Sequence, residues 1–301
     1  MTFRTETLDI ALTGGYRRAL DFLELTKPRV VLMVLVTTFV GFYLGSGSMP
    51  DYFRLIHTLI GTALAAAGTL ALNQFLERDA DALMERTRRR PLPEGRVQPA
   101  EAALFGVLVT ATGLLVLTLT VNPLSALVTA SIVGSYLFIY TPLKQRSSLC
   151  GLVGALPGAL PPVIGWTAAR GDFGVEAWVL FAILFLWQIP HTLAIARLYR
   201  DDFAKAGIQF LPVVEPDGGS TGRQIINHCL ALLVVSLLPT LLGLAGSLYF
   251  LVALLFGAVF LAYGVGLAFS PSLRTARRLL FASLVYLPVL LVVMALDRVS
   301  L

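Results

Sequence analysis

Residues 56–90 read IHTLIGTALAAAGTLALNQFLERDADALMERTRRR, an apolar run that ends in oxygen-bearing side chains and then in a cluster of arginines. From about 56 to 76 the run is long enough to cross roughly 30 Å of hydrocarbon as a helix, and it reads as a membrane span. Asn73, Glu77 and Asp81 follow one another every four residues at its end. Each such step turns an α-helical side chain by about 40°, so all three share one face over roughly two turns. Asp79 lies about 240° round the helix from Asn73 and points elsewhere. Carboxylates at a membrane boundary are costly unless they face a cavity, a cation or a basic partner. Two readings of this ladder stay open. It can hold Mg²⁺ with a phosphate, because Mg²⁺ takes one or two carboxylates plus phosphate oxygens. It can also be a frayed helix end whose acids pair with the arginines beside it.

The rest of the chain repeats the span pattern. Of its 301 residues 56% are hydrophobic and only 14% charged, and the mean hydropathy of +0.79 lies far outside that of soluble domains. Apolar runs recur at roughly 30–46, 56–76, 102–120, 124–141, 150–168, 175–197, 226–245, 248–268 and 278–297. This predicts an all-α, polytopic membrane protein with nine transmembrane helices, forming one membrane-embedded domain over 1–301. Only Val121-Asn122-Pro123 divides the third span from the fourth. A tail of about 1–25 precedes the spans, and two long connections, about 78–101 and 198–225, are expected to form cap loops on the same membrane face. Both follow a span that ends in polar residues, the second and the sixth, as a duplicated four-helix unit would place them. Long loops in compact proteins usually carry function.

Orientation follows the basic residues. With the N terminus in the cytoplasm, all 23 Lys and Arg except Arg54, Arg170 and Arg298 fall on the cytoplasmic side, and the C terminus lies opposite. The expected location is a cell inner membrane. The net charge of +5 therefore reports topology, and no nucleic-acid partner is expected. The tail carries Glu6, Asp9, Asp21 and Glu24 and lacks an apolar core with a cleavage site, so it reads as retained. Cys150 and Cys229, at or beside predicted span ends, have neither CxxC nor zinc spacing and read as packing residues.

Three further constellations stand near the cytoplasmic face. Arg86, Arg88, Arg89 and Arg90 offer planar donor forks suited to phosphate, or are simply the topology signal. The stretch YTPLKQRSSLCGLVGALPGALPPVIGW, 140–166, places Tyr140, Lys144 and Arg146 before a fifth helix that its Gly and Pro residues should break and thin. The stretch WQIPHTLAIARLYRDDFAKAGIQFLP, 187–212, puts Trp187, Gln188 and His191 within the sixth span, with Pro190 kinking it, and Asp201 and Asp202 beyond its end. A histidine inside an apolar span is a functional candidate, or a packing histidine bonded to a neighbouring helix. His57 and His228 read as ordinary boundary residues.

Taken in order, ELTKPRV (24–30), NQFLERDAD (73–81), RTRRRPL (86–92), YTPLK (140–144), PGALPPVIGW (157–166), WQIPH (187–191) and Leu211-Pro212 resemble the UbiA superfamily of intramembrane prenyltransferases over nearly the whole length. The resemblance implies a nine-helix bundle around a central cavity, capped by the two long connections and open sideways to membrane lipid. It implies that Asn73, Glu77 and Asp81 bind Mg²⁺ and an isoprenoid diphosphate, with Arg86, Arg90, Tyr140, Lys144 and Lys27 as diphosphate contacts. Many members carry a second motif, Asp-x-x-x-Asp, eight and four residues before a glycine that is Gly207 here. Those positions hold Tyr199 and Phe203, which leaves Asp202 as the nearest substitute metal ligand.

This departure and WQIPH are similar to the haem-modifying branch. The implied activity is transfer of a farnesyl group from farnesyl diphosphate to a vinyl group of haem B, with addition of water, giving haem O for terminal oxidases. Haem B is then substrate, Mg²⁺ the cofactor, His191 and Trp187 the haem contacts, and a haem A synthase the partner that takes the product. The alternatives are prenylation of an aromatic quinone precursor in the same superfamily, a secondary transporter, or a structural role in oxidase assembly. Transporter sites sit near the bilayer midplane, whereas these polar clusters gather at one face.

Overall fold

The computed structural model describes residues 15–47 and 49–299; the acids and arginine of the tail before residue 15 lie outside them. Helix α1 covers residues 15–25. It is followed by α2 (Pro28–Gly45), α3 (Tyr52–Leu83), α4 (Pro99–Thr120) and α5 (Pro123–Gly134). A π-helical turn, Ser135–Tyr140, carries α5 into the short α6 (Thr141–Leu143). The fifth span is split into α7 (Cys150–Ala159) and α8 (Pro161–Arg170), and α9 (Val175–Leu198) is the sixth. Short helices α10 (Arg200–Lys205) and α11 (Leu211–Val214) lead to α12 (Gly219–Val235), α13 (Leu238–Leu241), α14 (Ser247–Phe269) and α15 (Leu273–Leu296). Among the described residues nine helical segments are long and apolar enough to cross a membrane, in the order expected. No strand is present among them, only one isolated bridge between Ala245 and Arg298.

Local chemistry explains the boundaries. Asp51 accepts a hydrogen bond from the Arg54 amide and starts α3, and Asn122 does the same for Ser125 at α5. Asn122-Pro123 is thus a true break between spans. Leu160 separates α7 from α8, where three prolines within six residues interrupt the ladder of backbone bonds.

Several boundaries differ from the hydropathy reading. Helix α3 does not stop near 76 but runs to Leu83, so the whole ladder rides on one continuous helix. Its polar last turns are held by cations from other elements, which an apolarity count does not see. The seventh span begins at Gly219 rather than 226, after Gly218 turns the chain with a φ of 82°; Cys229 therefore sits inside α12, not at a span end. The second long connection is not a plain loop, since α10 and α11 occupy much of it. Arg274, Arg277 and Arg278 belong to the first turns of α15.

The helices form two groups. Helices α2, α3, α4, α5 and α8 pack together, as do α9, α12, α14 and α15, while α7 joins the groups through α9 and α15 meets α2. Small residues allow the tightest crossings. A methyl group added to Gly165 would collide with the Thr38 carbonyl of α2, and one on Gly41 with the Pro162 carbonyl of α8. Gly61, Ala65 and Gly68 of α3 face Gly106, Thr110 and Gly113 of α4 in the same way. The outer faces carry exposed Leu104, Leu119, Phe281 and Leu296, which suits contact with lipid rather than water.

Candidate active site

The last turns of α3 present Asn73, Glu77 and Asp81 to three different cations. The Asn73 Oδ1 accepts from Lys27 Nζ at 3.1 Å, and its Nδ2 donates to Thr141 Oγ1 at 3.2 Å. Lys144 Nζ lies 2.5 Å from Glu77 Oε1, and Arg90 Nη1 lies 2.6 Å from Asp81 Oδ2. Asn73 and Asp81 are buried, and the Lys144 and Glu77 side chains are only 13% and 16% exposed. Thr87 Oγ1 donates to the Asp81 carbonyl at 2.8 Å and tightens the turn that brings Arg90 back. These are charge-assisted contacts in a poorly hydrated place, the setting in which pairing matters most.

Each cation is aimed by an unusual piece of backbone. Lys27 has φ 49° and ψ 66°, the only non-glycine in the left-handed region among the described residues. Such a conformation costs roughly 1–3 kcal/mol and persists where surrounding contacts enforce it. Burial, and then the nearby Arg90 charge, lowers the Lys27 pKa to about 7. Lys144 follows the π-helical turn, in which the Thr141 amide and hydroxyl both reach back to the Tyr136 carbonyl. π-Turns of this kind are rare and concentrate at functional sites. The Lys144 ammonium also stands 4.5 Å from the centre of the Tyr140 ring.

The cap is joined across its two halves. Arg86 lies over the rings of Tyr199 and Phe203, at 5.4 and 4.6 Å, linking the connection after α3 to the one after α9. Burial, and then Arg90, lowers its pKa. Gln209 N donates to the Lys144 carbonyl at 2.7 Å and Gln145 Nε2 to the Ala206 carbonyl at 3.2 Å. A groove of about 380 Å³ opens beside the ladder, lined by Glu77, Asp81, Met84, Phe138, Thr141 and Lys144. Nearer the membrane interior an apolar cavity of about 140 Å³ is lined by Val34, Thr62, Ala66, Thr69, Thr129 and Ile164. Its α3 wall descends from Thr69, one turn below Asn73, to Thr62, about 16 Å below it by helical rise.

Among the described residues Asp202 makes no hydrogen bond or ion pair to the ladder, but its charge acts on Arg86 together with that of Asp81. It lies on α10 with its carboxylate 3.9 Å from Lys205. Among the described residues no group of three or more His, Cys, Asp or Glu is gathered as a metal cage. The donor chemistry nevertheless suits Mg²⁺: two hard carboxylates, Glu77 and Asp81, one turn apart, beside cations able to take phosphate oxygens that complete the shell. Asn73, with both ends of its amide engaged, orients Lys27 and Thr141.

The second predicted pair lies deeper. The Trp187 and His191 rings stack at 4.7 Å with 23° between planes. Both bond to Ser283 of α15: Trp187 Nε1 donates to its carbonyl at 2.9 Å, and His191 Nδ1 meets its hydroxyl at 2.8 Å. Sequence reasoning did not single out Thr141 or Ser283. Thr141 stood inside YTPLK, but only the fold turns its hydroxyl to Asn73. Ser283 is 92 residues from His191, with no local pattern to mark it.

The sequence profile described as the UbiA prenyltransferase family matches residues 34–285. The chain belongs to that family. As a UbiA prenyltransferase it is an enzyme and a multi-pass membrane protein, which closes the transporter and assembly readings. A curated relative from Solibacter usitatus, named protoheme IX farnesyltransferase, is 50% identical over 287 residues, covering 92% of this chain and 98% of the relative. One of the same name from Koribacter versatilis is 43% identical, with 99% of each chain covered. Among solved structures, a UbiA homologue from Aeropyrum pernix superposes with a TM-score of 0.70 at 18% identity, covering 88% of this chain and 96% of that one. A UbiA homologue from Archaeoglobus fulgidus bound to GPP and Mg²⁺ gives 0.62 at 17%, covering 91% and 99%. These two likenesses establish the shared UbiA fold.

Proposed function

We propose that this UbiA prenyltransferase transfers a farnesyl group from farnesyl diphosphate to a vinyl group of haem B, with addition of water, to give haem O. The observation that carries the acceptor is the 50% identity, over nearly full length, to a protein named protoheme IX farnesyltransferase. What supports the donor half is the ladder itself, with Lys27, Lys144 and Arg90 converging on Asn73, Glu77 and Asp81.

In this reading Glu77 and Asp81 hold Mg²⁺, and Lys144, Arg90, Lys27 and Arg86 receive the diphosphate, with Tyr140 backing Lys144. Bound Mg²⁺ supplies charge neutralisation of the leaving diphosphate. The farnesyl C–O bond breaks, its electron pair leaves with diphosphate, and the apolar cavity below Asn73 shields the allylic cation from water. The haem vinyl group then attacks the farnesyl carbon. The cation formed beside the porphyrin takes the oxygen of one water, whose proton is released. His191 and Trp187 contact the haem. Asp202, whose charge acts on Arg86 together with that of Asp81, is the candidate for a second metal position. The cap faces the cytoplasm of a cell inner membrane, and the product passes to a haem A synthase.

The test is incubation of the detergent-solubilised full chain with haem B, farnesyl diphosphate and Mg²⁺, with products read by mass spectrometry. Wild type yields haem O, and Glu77→Gln and Asp81→Asn reduce it on the order of a hundredfold or more. Prenylation of an aromatic acid such as 4-hydroxybenzoate, with haem B untouched, overturns the acceptor and leaves the diphosphate half standing.

A further inference from the structure

Ser283 is fully buried on α15, yet it holds both rings of the Trp187–His191 pair. Its carbonyl takes the indole N–H. Its hydroxyl has one proton and two neighbours able to accept it, the Leu280 carbonyl at 2.6 Å and His191 Nδ1 at 2.8 Å. A helical serine habitually donates back to a carbonyl three or four residues earlier, and the shorter contact lies there. With its proton committed to Leu280, the hydroxyl oxygen can only accept from His191. The imidazole then carries its hydrogen on Nδ1 and keeps a bare lone pair on Nε2. Among the described residues Nε2 makes no hydrogen bond. Stacking on Trp187 fixes the plane of the ring.

We propose that Ser283 is the positioning residue for His191, selecting the Nδ1–H tautomer so that Nε2 is presented as an axial ligand to the iron of the bound haem. The proposal rests on the haem reading above. A metal-binding histidine donates its other N–H to an oxygen acceptor, which fixes the ring and raises the basicity of the ligating nitrogen. Here that acceptor comes from a different helix, so the arrangement exists only when α9 and α15 are packed. Iron ligation holds the macrocycle in place without involving the vinyl group that reacts.

The experiment is resonance Raman and absorption spectroscopy of ferrous haem B bound to the detergent-solubilised full chain, with farnesyl transfer assayed beside it. Wild type shows an iron–imidazole stretching band. His191→Ala loses it and regains it with free imidazole. Ser283→Ala lowers the frequency of the band and raises the haem Kd roughly two- to tenfold, as loss of one buried hydrogen bond predicts, whereas Ser283→Thr keeps both at wild-type values. Should the alanine variant not fold, Ser283→Cys, a weaker acceptor, is read the same way. Haem bound to wild type without the band, or a band and Kd indifferent to Ser283→Ala, overturns the proposal. If haem O is still formed in either case, the reaction assignment stands while the ligation fails. Absence of any haem binding overturns both.

Discussion

Each rung of the α3 ladder meets its own cation, and each cation comes from a different stretch of chain: the start of α2, the end of α6 and the loop after α3. An acid left alone in such a place would be strongly destabilising, so these pairs keep the site charged while nothing is bound. Mg²⁺ and diphosphate require opposite members of the same pairs. Either ligand alone must disrupt a pair, whereas both together exchange partners on both sides. Isothermal titration with Mg²⁺ is therefore expected to be weak alone and at least roughly tenfold tighter with a non-reactive farnesyl diphosphate analogue, by analogy with ordinary coupling energies. Equal affinities would refute this exchange. Thr141→Val should leave the Asn73 amide without its acceptor and raise KM for farnesyl diphosphate roughly threefold to tenfold. Its haem affinity should match wild type; a change there would mean that the substitution acts through folding.

At the scale of elements, the α2–α8 crossing depends on Gly165 and Gly41 meeting opposing carbonyls without a side chain between them. Gly165→Val forces the helices apart and should lower stability by about 1–3 kcal/mol, as overpacking does. A thermal melt in detergent reads this as a lower Tm, and an unchanged melt would show that the contact is slack. The elements were unevenly legible in sequence. Asn122-Pro123 and the prolines around Leu160 act through their own backbone chemistry, so their breaks could be read directly. The extension of α3 to Leu83 could not, because Arg90, Lys144 and Lys27 support its polar end from elsewhere. Nor does any residue in Ser135–Tyr140 announce a π-turn, whose extra residue is accommodated by packing.

For the whole molecule, the basic residues predict that the ladder, the cap and the N terminus share the cytoplasmic face. Cys150 and Cys229 are both buried, so introduced cysteines can be labelled against a quiet background. In sealed vesicles of known orientation, Arg88→Cys should react with a membrane-impermeant thiol reagent only from the cytoplasmic side. Asp172→Cys, at the exposed turn after α8, should react only from the other. Labelling of both from one side would overturn the orientation.

By itself the sequence determined the membrane setting, the nine spans and the identity of the ladder, because hydropathy, helical periodicity and turn-forming residues act over a few neighbouring positions. Only the tertiary structure decided which cation meets which rung, that Asp202 pairs with Lys205 rather than with a rung, and that Thr141 and Ser283 bond Asn73 and His191. Those pairings join residues as many as 92 positions apart, and a side chain aimed across a helix interface leaves no trace in the spacing of either helix.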